Sequence, residues 1–356
     1  MVRVSPEQLP DTAGFPVGQT KGAVKGLGGD LRQVIQCNQA RGGISRERAT
    51  LRFKGMRRPI VILMLLAFIW GASFMLIKIA DRQLTPATLV LARLGSATLL
   101  LAAIALLQLG PGRTLAELRD RWGWLVVVGL VNTAVPFWLL SWGETRIDSG
   151  LASIIQGAVP IFNALLAFAF FREARVNGLR LVGLGIGFVG VALLVGDQPH
   201  GKLLAALAVV AMALCYAIGT LLAGRHLRGT PPLVVALAST AVSTLAVLPV
   251  GAAQAPSEAW HGKTIAAILV LGFVGTAIAY LLFFALIQRA GPNYATLVTY
   301  LVPPIALFYG AVFLGESFGA IDFASLGLIL VGVALATGSV RLASLRAGRA
   351  DAREAA

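Results

Sequence analysis

Apolar positions along this chain gather into blocks of about twenty residues separated by short polar breaks. Blocks of that length suit helices crossing a hydrocarbon core ~30 Å thick. The pattern predicts ten spans, at Pro59–Ala80, Pro86–Leu109, Trp122–Gly143, Ser149–Phe171, Asn177–Gly196, Leu203–Ala223, Pro231–Gly251, Thr264–Gln288, Pro292–Leu314 and Gly319–Val340. Several start at or just after a proline, where the missing N–H costs a helix nothing. The expected fold is an all-α polytopic membrane protein.

Within that pattern the stretch Thr133–Ala192 is said again from Thr276 to Ala334. Arg146, Pro160 and Glu173 are followed, at one constant offset, by Arg289, Pro303 and Glu316. A glycine-rich apolar run closes each copy. Two copies of five spans each must enter the membrane from opposite faces, because five is odd. The expectation is two inverted repeats, residues 56–196 and 203–340, about a pseudo-twofold axis in the membrane plane. Residues 341–356 read as a cytoplasmic tail. Residues 1–55 are polar and basic without an apolar period. They read as a disordered cytoplasmic tail, or as sequence upstream of a start at Met56.

Composition agrees. Of 356 residues 57% are hydrophobic and only 13% charged, with a mean hydropathy of +0.80, far short of the polar surface of a soluble domain. The net charge of +14 does not point to a nucleic-acid partner, since the basic residues crowd the tails and alternate loops. Arg113, Arg119, Arg121, Arg172, Arg175, Arg180, Arg225, Arg228 and Arg289 fall in one set of loops. Only Arg82, Arg146, Lys202 and Lys263 fall in the other. That bias puts both termini in the cytoplasm. Cys37 and Cys215 are too far apart in context to make a disulfide or metal framework, and no cofactor is implied.

Polar residues then single out certain helices. Ser149, Ser153, Gln156, Pro160 and Asn163 advance by three or four and share a face of span four. Thr296, Tyr300 and Pro303 do so in span nine, with Asn293 and Thr299 beside them. Trp70, Ser73, Asn132, Trp138, Tyr216, Thr220, Thr276 and Tyr280 stand at mid-depth in spans one, three, six and eight. Together they predict a polar, aromatic-lined substrate chamber at the repeat interface. Pro160 and Pro303 are candidate hinges. Lys78, near a span end, is placed to snorkel to the interface. Arg93, deeper, is placed to lend the chamber positive potential or to tie helix carbonyls. Glu173 and Glu316 read as caps of the helices that follow them. Gly183, Gly187, Gly190, Gly327 and Gly332 predict a packed edge on spans five and ten, which also offers a homodimer surface. With no acidic or histidine side chain at mid-depth, gradient-driven exchange is favoured over tight proton coupling, with the rim carboxylates Glu144 and Asp148 as the alternative carriers.

These residues resemble the drug/metabolite transporter superfamily, specifically its EamA-type ten-helix exporters. The resemblance is carried by Trp70–Gly71–Ala72–Ser73–Phe74 with Lys78, by Leu91–Ala92–Arg93, by the two Pro…Glu blocks and by Gly315–Glu316. It departs at Arg172, where the family commonly has glycine before the glutamate. It implies export of small metabolites, amino acids or drug-like compounds across the bacterial inner membrane by alternating access. A nucleotide-sugar or phosphorylated-sugar exchanger is the alternative, and would call for more basic residues than Arg93 and Lys78. A membrane sensor or scaffold would need no chamber. An enzyme would need a nucleophile, metal cluster or carboxylate pair, which the pattern does not provide.

Overall fold

The computed structural model describes residues 59–170, 178–290, 295 and 297–337. Residues 1–55, Met56 and Glu173 lie outside these. The described residues are helical apart from short turns, with no strand among them. Helix α1 is Pro59–Ala80 and α2 is Pro86–Leu109, with Thr85 accepting the Thr88 N–H as its cap. The short α3, Pro111–Asp120, lies where only a loop was expected; it carries Arg113 and Glu117 one turn apart, 3.8 Å between charged atoms. Helix α4 starts as Trp122–Gly129, widens to a π-helical turn at Leu130–Ala134 and continues as Val135–Glu144.

The predicted fourth span is two helices, α5 (Ser149–Gln156) and α6 (Val159–Phe170), joined by the turn Gly157–Ala158. Pro160 sits in the first turn of α6, where its missing N–H leaves no bond broken. The expected mid-helix kink is therefore a full break just before the proline. Next come α7 (Gly178–Gly196), α8 (His200–His226) and α9 (Pro232–Ala253). Helix α10 runs from Gly262–Leu269 through a π-helical stretch, Val270–Ile278, into Ala279–Ala290. Helix α11, Val298–Tyr309, carries Pro303 and Pro304 inside an unbroken helix and ends in a π turn, Gly310–Leu314. Last is α12, Ala320–Ala336. Among the described residues eight helical segments are long and apolar enough to cross a membrane; Val298–Leu314 and Ala320–Ala336 are shorter apolar helices.

Packing follows the small residues. Helix α7 lies along α12, and α2 along α9. At the first contact a Cβ on Gly332 would stand 2.5 Å from the Gly187 backbone, and one on Gly183 would stand 2.6 Å from the Ala336 nitrogen. Of the glycines predicted to form a packed edge, Gly183, Gly187, Gly190 and Gly332 lie at this contact within one chain, gaining dispersion contact that larger residues would prevent, while Gly327 does not. At the second, Ala97, Leu101 and Ala105 bury against Leu233, Ala236 and Leu237, and the Thr88 hydroxyl donates to the Gly251 carbonyl at 2.9 Å. Helix α1 packs on α10 and α11, and α8 packs on α4, α5 and α6. The last two of these groups, with residues of α2 and α9, surround a cavity.

Candidate functional site

The cavity has a volume of about 480 Å³, within the range of small-molecule sites. Its walls come from α1, α4, α5, α8, α10 and α11, with Arg93 from α2 and the first turns of α9 added. One end reaches the turn between α8 and α9, at Leu227, Thr230 and Pro232. The other stops at Ile77 and Leu140.

Aromatic side chains dominate the middle. Trp70 lies 5.4 Å from Phe283, and Phe137 meets Tyr216 edge-on at 6.5 Å. The Arg93 guanidinium sits 4.4 Å from the centre of the Phe137 ring, a cation–π contact. Arg93 is 6% exposed. Its Nε donates to the Thr276 hydroxyl at 3.1 Å, and that hydroxyl donates to the Leu271 carbonyl at 2.9 Å. Tyr216, Tyr280 and Glu144 act on it electrostatically. Among the described residues no carboxylate comes within ion-pair distance of it.

The π-helical stretches of α4 and α10 face this space. One carries Asn132 and the other Gly275 and Thr276. A π turn bonds residue i to i−5, as the Val135 N–H does to Leu130, and so rotates the helix that follows. Asn132 fits because Gly219 lies opposite; a Cβ there would stand 2.5 Å from the Asn132 Cβ. The Asn132 Oδ1 is buried against the Gly219 position without a hydrogen-bond partner.

The structure brings together Trp70, Ser73, Arg93, Asn132, Gln156, Tyr216, Tyr280, Thr299 and Pro303 on the cavity wall. It does not bring Trp138, which is 40% exposed and stacks on Trp142; the π turn gives the inward place to Phe137. Nor does Tyr300 reach it. Its hydroxyl lies 3.4 Å from that of Thr337 just past the end of α12, one residue around the helix from the inward Thr299. Asn163 and Pro160 lie beyond the break at Gly157–Ala158, which turns α6 away from the face begun on α5.

Lys78 neither lines the cavity nor snorkels. Its Nζ donates to the carbonyls of Glu144 and Ile147, at 2.6 Å each, fastening α1 to the end of α4. Glu316 is a cap, but not of the helix after it. It accepts the Ser149 N–H at 2.8 Å, the Ser149 hydroxyl at 2.9 Å and the Gly150 N–H at 3.1 Å, so it caps α5 from across the molecule. The helix after it is served by Asp322, which accepts the Gly319 N–H at 2.8 Å. Beyond Ile77 and Leu140, then, the cavity is closed by two fastenings. Asp81, Ser141 and Glu144 complete this closed end; Asp81 and Ser141 were not expected as site residues, and Glu144 was expected only as a rim carboxylate. Their signal was there in the i, i+3 pairs Lys78/Asp81 and Ser141/Glu144, which continue the inward faces of α1 and α4.

Comparison with known proteins fits this picture. The profile of the EamA-like transporter family matches residues 57–196 and again residues 203–338. The inner membrane transporter YedA of Escherichia coli K12 is 26% identical over 295 residues, 81% of this chain and 93% of that one. A probable terminal-alkyne amino-acid exporter of Streptantibioticus cattleyicolor is 29% identical over 270 residues, covering 73% and 87%. A probable amino-acid metabolite efflux pump of Escherichia coli K12 is 25% identical over 294 residues, covering 78% and 94%. A solved crystal structure superposes with a TM-score of 0.59 at 18% identity, over 80% of this chain and 98% of that one, a likeness of fold.

Proposed function

The chain belongs to the EamA-like transporter family, and from that premise we propose that it exports small metabolites, amino acids or drug-like compounds, across the bacterial inner membrane. The observation that carries this reading is the mid-depth aromatic cavity with a single buried cation on its wall. Such a site suits a compact molecule with an apolar body and one anionic group. The body stacks among Trp70, Phe137, Tyr216 and Tyr280, the anion meets Arg93, and Gln156 and Asn132 orient the rest. The exporter names of two relatives point the same way. A nucleotide or phosphorylated sugar would bring two or more negative charges, and Arg93 is the only Lys or Arg among the lining residues.

The mechanism is alternating access by two inverted five-helix repeats. Helix pairing supports it. A twofold exchange of the repeats maps the α7–α12 and α2–α9 contacts onto themselves and trades the packing of α1 on α10 and α11 for that of α8 on α4, α5 and α6. The π turns of α4 and α10 fall at matching places, with Thr133 and Thr276 as counterparts. With the basic loops in the cytoplasm, the α8–α9 turn is cytoplasmic, and the conformation is inward-facing with its outer end fastened. A homodimer through α7 and α12 would use their outer faces, where Gly185 and Gly327 have open space.

Counterflow in vesicles containing only this protein, screened with amino acids and other amphipathic metabolites, tests the function. Gln156→Ala should lower counterflow about tenfold, the loss of roughly one good hydrogen bond, with membrane expression unchanged. Unchanged counterflow would remove Gln156 from the site, and no counterflow with any metabolite would sink the export reading.

A further inference from the structure

Two carboxyl groups stand just past the closed end of the cavity, and the transport scheme above uses neither. Asp81 follows the last residue of α1. Its Oδ1 accepts the Ser141 hydroxyl at 2.9 Å, while its Oδ2 is buried with no hydrogen-bond partner. Glu144 ends α4 with none of its surface exposed, and both its carboxyl oxygens are buried without a partner. Three acceptor atoms are thus gathered in one water-poor place with no donor of their own, a costly arrangement if nothing fills it.

The surrounding charges do not supply the donor. Lys78 spends its Nζ on two backbone carbonyls, and among the described residues it makes no ion pair with either carboxyl. Asp81 is the strongest charged influence on Glu144, followed by Lys78, Glu316 and Arg93. Glu316 is occupied by its three donors on α5. Arg93 faces the cavity. From the loop after α4, Arg146 folds back over the Trp142 ring, 4.3 Å from its centre. Arg82 is exposed, and Asp148 caps the start of α5 through its backbone. Each carboxyl therefore lacks a hydrogen, and Asp81 acts on Glu144 through space as a like charge. Two carboxylates sharing a site hold one proton in common because both cannot be charged so close together.

We propose that Asp81 and Glu144 form a proton-binding site that holds one proton while this face is closed and releases it when the face opens. With the proton bound, the charge of Lys78 is balanced by one negative charge on the pair, and the amine is free to fasten α1 to the carbonyls of Glu144 and Ile147. Without it a second negative charge appears beside Lys78 and draws the amine off those carbonyls, which loosens the fastening. Burial raises the Asp81 carboxyl from 3.8 to about 7, in keeping with exchange near neutral pH. The sign follows from that direction. The stabilisation of the closed face is fully present below the ordinary aspartate value of about 4 and is lost as the pH rises through about 7. On the transport reading, on which this consequence rests, outward movement of the metabolite is tied to proton exchange at this face.

Infrared titration of the full chain in lipid nanodiscs tests the site without any transport substrate. The wild type should show a protonated-carboxyl band that disappears with a midpoint near pH 7. Asp81→Asn and Glu144→Gln, made separately, should each abolish that band or move its midpoint by more than about one pH unit, a tenfold change in proton affinity. Should one variant fail to fold, the other decides. A wild type with no carboxyl titrating near neutrality, or a folded variant that keeps the wild-type midpoint, overturns the proposal. Counterflow without this titration sinks the proton site and spares the transporter; titration without counterflow does the reverse.

Discussion

The α7–α12 contact and the cavity wall are both made of apolar helices, yet one leaves no space and the other keeps a volume of about 480 Å³. The difference lies in side-chain size and helix regularity. Along α7 and α12 glycines meet glycines, and the backbones approach until even a methyl group would collide. Around the cavity large aromatic residues hold the helices apart, while π turns in α4 and α10 spoil the regular ridges that would otherwise close the gap. Close contact suits a rigid edge. An imperfectly filled wall suits a place that must admit a molecule and then change shape.

The most severe way to break this contrast is to give the rigid edge a side chain. Gly332→Leu should destabilise the protein by about 3 kcal/mol or more, because its Cβ would meet backbone atoms that cannot step aside. Gly185→Leu, with nothing within 4 Å of its Cβ, should change stability by less than about 1 kcal/mol. Thermal unfolding in detergent compares the two, and equal losses would mean that the edge is not packed as described. A smaller effect is expected at the closed end of the cavity. Glu316→Ala strands the Ser149 and Gly150 N–H groups and should cost about 1–3 kcal/mol, whereas Glu316→Gln should recover part of it. Smallest in stability, and confined to transport, is the pair of tryptophans. Trp70→Ala should weaken substrate affinity about tenfold through lost aromatic contact, and Trp138→Ala by no more than about twofold. A reversed order in counterflow would place the substrate on the other face of α4.

Much of the site could be read from single helices. Trp70 and Ser73 lie near one face of α1, Ser153 and Gln156 near one face of α5, and Thr299 and Pro303 near one face of α11, so periodicity placed them well. It failed at two residues past an irregular turn, though Asn132 within a π turn and Tyr280 just after one stayed on the wall. Trp138 and Asn163 each follow a π turn or a break, and the phase carried past that point is wrong for both. It also failed for Glu316 and Lys78, whose partners lie far along the chain at Ser149 and Glu144. The pull toward nearby explanations, a cap on the next helix or an amine reaching the membrane surface, was reasonable for each residue alone. Glu144 looked like a rim carboxylate because it ends a span, and only packing shows it fully enclosed.

By itself the sequence determined that the chain is a membrane bundle, where most of its spans begin and end, and that glycine runs mark close packing. Those properties follow from local composition, because a bilayer charges its cost residue by residue along each span. Only the tertiary structure decided which polar groups share the cavity, which helix Glu316 caps, and that Asp81 and Glu144 are buried within electrostatic reach of each other beyond its closed end. Those depend on rotation and contact between helices distant in the chain, set by the sum of many small packing energies that no single span contains.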